Sequence, residues 1–130
     1  MSAYTAAPLD DIAAEKWPYW APIRHQFDIR AFGASAWRGA SGDEVIKRHQ
    51  EGPGGHEELY LVLSGHASFE VGGDKIDGPT GTLVFVRDPE AERVAFAAED
   101  GTVILSLGGW PDRKFEVSEW ETESLGPSPA

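Results

Sequence analysis

Short strand-like segments separated by turn-forming residues constrain the fold of this chain more than any other feature. Apolar and β-branched residues occur in runs, and Gly, Pro and Asp fill the gaps between the runs. Strands that recur every 8 to 12 residues, roughly, are typical of β-sandwiches and β-barrels. The predicted strands are residues 26–32, 34–38, 44–50, 59–64, 66–71, 82–87, 93–97 and 102–107, with a further short run at 115–117. We therefore predict an all-β sandwich or barrel.

Glycine positions predict how some of these strands connect. Gly72 and Gly73, followed by Asp74, separate two strand-like runs and predict a hairpin turn, because glycine adopts positive φ without steric cost. Gly65 predicts a sharp bend between the two strands that flank it.

The N-terminal part of the chain differs from this β pattern. Residues 8–15 begin with Pro and carry early acidic residues, which favours a short helical segment. Trp17, Tyr19 and Trp20 follow, and three large aromatic side chains so close together need apolar surface to lie against. We expect residues 1–23 to form an arm that covers the barrel, and no other helix is predicted.

The C-terminal end is polar and contains several prolines. Residues 121–130 include Gly126, Pro127 and Pro129, a composition typical of poorly ordered tails. The predicted single domain therefore comprises residues 1–120, and residues 121–130 form a polar tail.

Composition limits the size and the partners of the domain. A chain of 130 residues with 41% hydrophobic residues can bury one sizeable core. Its 22 acidic and 11 basic residues give a net charge of −11, which repels polyanions, so we expect no nucleic-acid partner. The absence of cysteine excludes disulfides and thiolate ligands.

Hydropathy predicts no contact with membranes. The longest apolar runs are shorter than the roughly 20 residues that a membrane-spanning helix needs. Residues 1–5 lack the basic start and apolar centre of a signal peptide. We expect a cytoplasmic protein without a membrane partner.

The run from His56 to Gly65 contains the strongest candidate for a functional site. Glu58, Tyr60 and Val62 alternate along a predicted strand and therefore share one of its faces. The rest of the strand is apolar on both faces, as in strands that are covered on both sides. A carboxylate on such a strand needs a hydrogen-bond donor or a metal ion beside it. We predict that Glu58 faces an enclosed space.

Residues 42 to 108, approximately, resemble the small single-domain cupins. The first cupin motif has a His-x-His pair, then a Glu, six residues and a Gly, and Glu58 with Gly65 matches its end. Gly81 matches the Gly that begins the second motif. The resemblance implies a double-stranded β-helix, or jelly roll, with a site for a metal ion inside the barrel.

The resemblance is partial at the metal-ligand positions. His49 and Glu51 most nearly correspond to the His-x-His pair, so that a Glu replaces the second His. In the second motif Arg87 and Pro89 replace a Pro and a Gly, and Glu92 stands where a His belongs.

Two pairs of residues could still form a metal site. His49 and Glu51 are two residues apart, and His56 and Glu58 repeat that spacing, so each pair projects to one side of an extended chain. Imidazoles with carboxylates suit a divalent ion such as Fe, Mn, Ni or Zn. We predict these four residues as metal ligands. The alternatives are that His49 bonds to Glu51 at the surface and that His56 stabilises its loop.

Arg93 raises a second possibility for the charge of Glu58. It begins a strand that is otherwise apolar, so its guanidinium can enter the barrel. There it would either neutralise Glu58 or clamp a carboxylate of a substrate. If Arg93 fills the position of the ion, no metal is required.

Four further residues complete the predicted substrate-binding set, together with Arg93. Trp37, Tyr60 and Phe85 lie on strands that are expected to line the barrel, as aromatic residues line many small-molecule sites. Core packing is the alternative for each of them. Glu92 is included because it precedes Arg93, and an ordinary surface ion pair is its alternative.

These residues are compatible with three functions. The favoured one is binding of a small molecule in the barrel, with or without a divalent metal. The second is a metal-dependent dioxygenase, isomerase or lyase that acts on a small carboxylate or enolisable substrate. The third is a non-catalytic structural or regulatory dimer. Leu59, Leu61 and Leu63 lack an obvious cover within a small barrel, so we expect a symmetric homodimer.

Overall fold

The computed structural model describes residues 2–130 and consists mainly of antiparallel β-strands. The strands are β1 (Trp20–Ala21), β2 (Gly33–Gly39), β3 (Glu44–His49), β4 (Glu57–Ser64), β5 (His66–Val71), β6 (Asp74–Pro79), β7 (Leu83–Val86), β8 (Arg93–Ala97) and β9 (Thr102–Gly109). A 3-10 turn spans Leu9–Asp11, and the α-helices are α1 (Ile23–Phe27) and α2 (Glu119–Leu125). The prediction of an all-β jelly roll is confirmed.

The strands form two facing sheets. One sheet has the order β1-β2-β9-β4-β7, and the other has the order β3-β8-β5-β6. Their inner faces enclose the core, in which Tyr60, Val62, Phe69 and Ile104 are almost fully buried. Because side chains alternate along a strand, Glu58 lies on the same inward face of β4 as Tyr60 and Val62.

The predicted turns are present. Gly72 and Gly73 connect β5 and β6 with φ of 57° and 88°, the left-handed conformation that a tight hairpin requires. Gly65 has φ of 75° between β4 and β5, and a side chain there would collide with Thr102 of β9. The bend at Gly65 therefore carries the chain from one sheet into the other.

The prediction of strands at 26–32 and 115–117 is wrong. The first segment contains the end of helix α1, in which Ile23 and Phe27 lie four residues apart and pack on one apolar cluster. Asp28 then ends the helix in the left-handed conformation, with φ of 52°. Residues 115–117 have no strand partner within the described part of the chain, residues 2–130.

The predicted tail also begins too early. Residues 119–125 form helix α2, and Glu121 in its first turn is buried. The polar composition misled the prediction because the buried carboxylate has a cationic partner, Arg24, which is distant in sequence. Past the helix, the hydroxyl of Ser128 still donates to the carbonyl oxygen of His25.

Part of the N-terminal segment packs on one sheet. Instead of a helix over residues 8–15, only the short turn Leu9–Asp11 forms. Leu9 and Ile12 pack with Ala36 and Val103 on the outer face of β2 and β9. No helix in residues 2–130 has the length and apolar character needed to cross a membrane.

The arm leaves the outer face of β4 and β7 uncovered. Leu59 and Leu61 are half-buried, whereas Leu63, Leu83 and Phe85 are exposed. The expectation that β4 is covered on both faces is therefore wrong within one chain, since only its inner face is buried.

Candidate functional site

A cavity of about 330 Å³ lies between the two sheets at one end of the barrel. Strands β2, β4 and β9 supply one wall, β3 supplies the other, and segments near both ends of the chain complete it. The side chains that define its character are Trp20, Trp37, Tyr60, Phe115 and Trp120, which are aromatic, and His49, Glu51, His56 and Glu58, which are polar. A space beside Glu58 is therefore present, but it opens to solvent, where Trp120 is 54% exposed.

Glu58 lies at the inner end of this cavity. Its Oε1 accepts a hydrogen bond of 2.9 Å from the hydroxyl of Tyr60, two residues further along the same face of β4. Gly108 of β9 is paired with Glu58, and a side chain at that position would approach Cγ of Glu58 to 3.3 Å. The absence of a side chain at Gly108 thus gives Glu58 the room that it needs.

His49 and Glu51 approach Glu58 from the opposite sheet. His49 is the last residue of β3, and its Nε2 lies 3.2 Å from Oε1 of Glu51 and 3.5 Å from Oε1 of Glu58. Its Nδ1 lies 2.6 Å from the carbonyl oxygen of Lys47. Both ring nitrogens therefore face acceptors, an arrangement in which both donate.

Arg93 provides a fixed positive charge on the other side of Glu58. Its Nη1 donates to Oε1 of Glu58 at 2.7 Å and lies 4.0 Å from Oε1 of Glu51. Its Nε donates to the carbonyl oxygen of Ala91, and its Nη2 donates to those of Asp88 and Pro89. Only 1% of the side chain is exposed, so the guanidinium is held in one place.

These contacts set the protonation states of the site. Burial raises the pKa of Glu58, but the contact with the imidazole of His49 and the hydrogen bond from Tyr60 outweigh it and lower that pKa to about 2. Hydrogen bonds to Glu51 and Glu58 raise the pKa of His49 to about 10. Burial, together with the charge of Glu58, raises the pKa of Tyr60. At neutral pH Glu58 is therefore an anion, His49 an imidazolium and Tyr60 a neutral donor.

Three of the four predicted metal ligands come together. Donor atoms of His49, Glu51 and Glu58 all lie within 4.8 Å of one another, a cluster that could hold a metal ion. His56 does not join them. It lines the cavity, but its ring packs edge-on against Trp110, with ring centroids 4.1 Å apart.

Two of these donor atoms already have partners within the protein, which disfavours a divalent ion. A metal at about 2.0 to 2.2 Å from its ligands needs free lone pairs on them. Oε1 of Glu58 already accepts from Arg93 and Tyr60, and Nε2 of His49 is directed at two carboxylates. The buried guanidinium of Arg93 supplies the positive charge that the carboxylates require.

The predicted substrate-binding residues separate into two groups. Trp37 and Tyr60 line the cavity. Phe85 does not, because it lies on the outward face of β7, 45% exposed and beneath the guanidinium of Arg87. Glu92 does not either, because it forms an exposed ion pair with Arg48 at 2.9 Å. Arg93 reaches Glu58, but its side chain is 1% exposed and does not line the cavity, so it cannot clamp a substrate carboxylate there.

Several residues of the cavity were not predicted from the sequence. The ring of Trp20 stacks on that of Trp37 at 5.7 Å, and Trp120 of helix α2 lies 5.2 Å from Trp20. Helix α2 is attached by Arg24, whose Nε donates to Oε1 of Glu121 at 3.1 Å. The ends of the chain therefore contribute to the site, although they lie outside its strands.

Comparison with known proteins identifies the architecture. No protein-family model matches this sequence, and no curated protein is significantly similar to it. A solved cupin protein from Bacteroides fragilis is 19% identical, with a TM-score of 0.70 over 91% of this chain and 93% of that chain. The Cupin_2 domain of an XRE family transcriptional regulator from Enterobacter cloacae is 15% identical, with a TM-score of 0.59 over 71% and 95%.

A third solved structure, described as a predicted oxalate decarboxylase from Thermotoga maritima, is 18% identical, with a TM-score of 0.54 over 62% of this chain and 68% of that chain. At these identities the likeness shows a shared fold. A regulator domain and a decarboxylase are named among these structures, so the fold alone does not indicate a function, which has to be argued from the site.

Proposed function

We propose that this chain, which has the cupin fold, binds a small organic molecule in the cavity at the end of its barrel. The observation that carries the proposal is the cavity of about 330 Å³ with aromatic walls and a polar inner end formed by His49, Glu51 and Glu58. Small-molecule sites are generally clefts of about 300 to 1,000 Å³ that combine apolar walls with a few polar groups. This cavity has both properties.

The hydrogen bonds of the cavity walls indicate which polar groups a ligand carries. The indole N–H of Trp20 donates to Ser35, and that of Trp37 donates to Ser106. The hydroxyl of Tyr60 donates to Glu58. These donors are satisfied within the protein, so the carboxylates of Glu51 and Glu58 are the groups beside them that can accept from a ligand. The ligand therefore presents hydroxyl or amino donors to the inner end and an apolar face to the tryptophans.

A metal-dependent enzyme is the second candidate. It is favoured by the clustering of donor atoms from His49, Glu51 and Glu58 within 4.8 Å. A solved structure of the same fold is described as a predicted oxalate decarboxylase, which is compatible with this candidate. The contact between Arg93 and Glu58 argues against it, because a ligand atom of the ion is already occupied by a cation.

A thermal-denaturation screen tests ligand binding. The panel contains cyclic polyols, primary amines and small carboxylates, each with EDTA and with added Mn²⁺, and a molecule that binds the folded state raises the midpoint. We expect polyols or amines to stabilise the wild type in EDTA. Trp37→Ala and Glu51→Gln, which alter the cavity, should lose the effect, whereas Phe85→Ala on the outer face should keep it.

The proposal fails if no compound raises the midpoint of the wild type. It also fails if a compound raises the midpoints of Phe85→Ala and Trp37→Ala by the same amount. Stabilisation that appears only with Mn²⁺ would favour the metal-dependent enzyme. The third function, a structural or regulatory dimer, would be left if neither a ligand nor a metal binds.

A further inference from the structure

We propose that Arg93 is the resident cation of this barrel: its guanidinium takes the place of a divalent ion beside Glu51 and Glu58 and keeps the site free of metal. Removal of the guanidinium should therefore uncover a metal site that the wild-type chain does not use. This inference concerns the inner end of the cavity and does not depend on which ligand the cavity binds.

The position of the guanidinium supports the inference. Nη1 of Arg93 lies 2.7 Å from Oε1 of Glu58 and 4.0 Å from Oε1 of Glu51. Nε2 of His49 approaches the same two oxygens, at 3.5 Å and 3.2 Å. The cation is thus directed at the oxygen atoms that an ion bound to these three residues would share.

The surrounding backbone holds the guanidinium in this position. Three of its hydrogen bonds are to carbonyl oxygens of the loop before β8, those of Asp88, Pro89 and Ala91. The side chain is 1% exposed and starts from β8, which lies between β3 and β5 in its sheet. A solvent-exposed cation could leave when an ion arrives, but Arg93 would have to break these bonds first.

The charge of Arg93 also opposes the binding of a divalent ion. An ion coordinated by Oε1 of Glu58 would lie within about 5 Å of the guanidinium, where screening by the protein interior is much weaker than in water. The charge of Arg93 therefore lowers the affinity for a divalent ion. Without that charge, two carboxylates and the imidazole of His49 remain, and once His49 releases its proton to the solvent they form a donor set that suits Mn²⁺, Ni²⁺ or Zn²⁺.

The test is a metal-binding comparison of Arg93 variants without an affinity tag. Each protein is stripped with EDTA, incubated separately with Mn²⁺, Ni²⁺ and Zn²⁺, freed of excess ion and measured by elemental analysis. Arg93→Met removes the charge, and Arg93→Lys retains it. Arg93→Gln is a polar alternative in case Arg93→Met does not fold. Arg48→Met, which removes an exposed arginine paired with Glu92, is the matched control.

We expect the wild type, Arg93→Lys and Arg48→Met to retain well below one ion per chain. Arg93→Met or Arg93→Gln should bind about one ion per chain, roughly 100-fold or more tightly than the wild type, as expected when a nearby cation is removed. Adding Glu51→Gln to either variant should abolish that binding.

Two results would overturn the proposal. One is a wild-type protein that binds one ion per chain and loses it in Glu51→Gln. The other is a folded Arg93→Met or Arg93→Gln variant that binds no more metal than the wild type.

Discussion

Arg93 of β8 and Glu58 of β4 form an ion pair that joins the two sheets of the barrel, with Nη1 and Oε1 2.7 Å apart. Both side chains are largely withdrawn from water, since 1% of Arg93 and 14% of Glu58 are exposed. A buried carboxylate that loses its cationic partner strongly destabilises the folded protein, because the cost of desolvation remains and the attraction between the two charges is lost. Loss of either partner alone therefore destabilises the barrel, and the pair sets the charge beside the cavity.

Removal of either partner should lower the free energy of unfolding substantially. We expect Arg93→Met to cost about 3 to 5 kcal/mol, the usual effect of leaving one buried charge unpaired. Glu58→Gln should also destabilise, and the double variant should recover part of the loss. Urea denaturation measures these changes. Arg48→Met, which breaks an exposed pair, should cost no more than about 1 kcal/mol; equal losses for both arginines would contradict this account.

Stability should depend on pH through Glu58 at the acidic end. The pKa of Glu58 is lowered in the folded state to about 2. Its contribution to the free energy of unfolding is therefore present at pH values above its ordinary pKa of about 4.5. That contribution is lost as the pH falls toward 2. The stability difference between the wild type and Glu58→Gln, measured by denaturation, should shrink over that range. A difference that stays constant between pH 5 and about 2 would show that Glu58 is not held as an anion.

At the alkaline end the dependence should come from His49. The pKa of His49 is raised in the folded state to about 10. Its contribution to the free energy of unfolding is therefore fully present at pH values below its ordinary pKa of 6.5. That contribution is lost as the pH rises toward 10. We expect the stability difference between the wild type and His49→Gln to decrease over this interval. His66, paired with Asp77 away from the cavity, offers the control His66→Gln. The interpretation is wrong if His49→Gln follows the pH dependence of the wild type throughout.

The attachment of helix α2 should depend on one buried contact. Arg24 donates to Glu121, and the two side chains are 6% and 10% exposed. Glu121→Gln should weaken the docking of the helix, increase amide hydrogen exchange in residues 119–125 and expose Trp120 further, which fluorescence would detect. Glu119→Gln alters an exposed carboxylate of the same helical turn and should have little effect. Equal exchange rates in the two variants would contradict the role of Arg24.

The uncovered face of β4 and β7 should join two copies of the chain. Leu83 and Phe85 are 61% and 45% exposed, and large apolar patches on a surface commonly mark an interface. We propose a symmetric homodimer in which these residues face each other. Light scattering after gel filtration should give a dimeric mass for the wild type and a monomeric one for Leu83→Lys. Tyr4→Lys, which changes an exposed residue elsewhere, should stay dimeric, and a monomeric wild type would disprove the proposal.

The sequence allowed the strands and turns of the barrel to be predicted because they depend on local patterns. Alternating apolar residues located β4, and glycines with positive φ located the turns at Gly65 and Gly72. The same reasoning failed for residues 26–32, where a short run of apolar and polar residues is compatible with either a helix or a strand. Only packing against the sheet determines that helix α1 forms.

Helix α2 had a local signal that was missed. Ser118 and Glu121 have the spacing of a capping box, and Gly126 follows the last turn. The composition of the surrounding tail outweighed that signal in the prediction. The partner of Glu121 could not have been identified, because Arg24 is 97 residues away in the sequence.

Part of the candidate site could be predicted from the alternation of side chains along a strand. The inward direction of Glu58 follows from its alternation with Tyr60 and Val62 on one strand. The roles of Phe85 and Glu92 depend on which face of a strand or loop meets the other sheet, and the sequence does not contain that information. Whether Arg93 pairs with Glu58 or binds a substrate depends on where its guanidinium is held. Three backbone carbonyl oxygens hold it, and only the structure shows them.

The central claim is that Glu58 is an anion paired with Arg93 in a barrel that needs no metal ion. A carbon-13 NMR titration of the Glu58 carboxyl group, assigned with Glu58→Gln and repeated with equimolar Zn²⁺, tests it most directly. We expect a pKa of about 2 and a signal that Zn²⁺ does not shift. A pKa at or above the ordinary value of 4.5, or a carboxyl signal displaced by equimolar Zn²⁺, would contradict the claim.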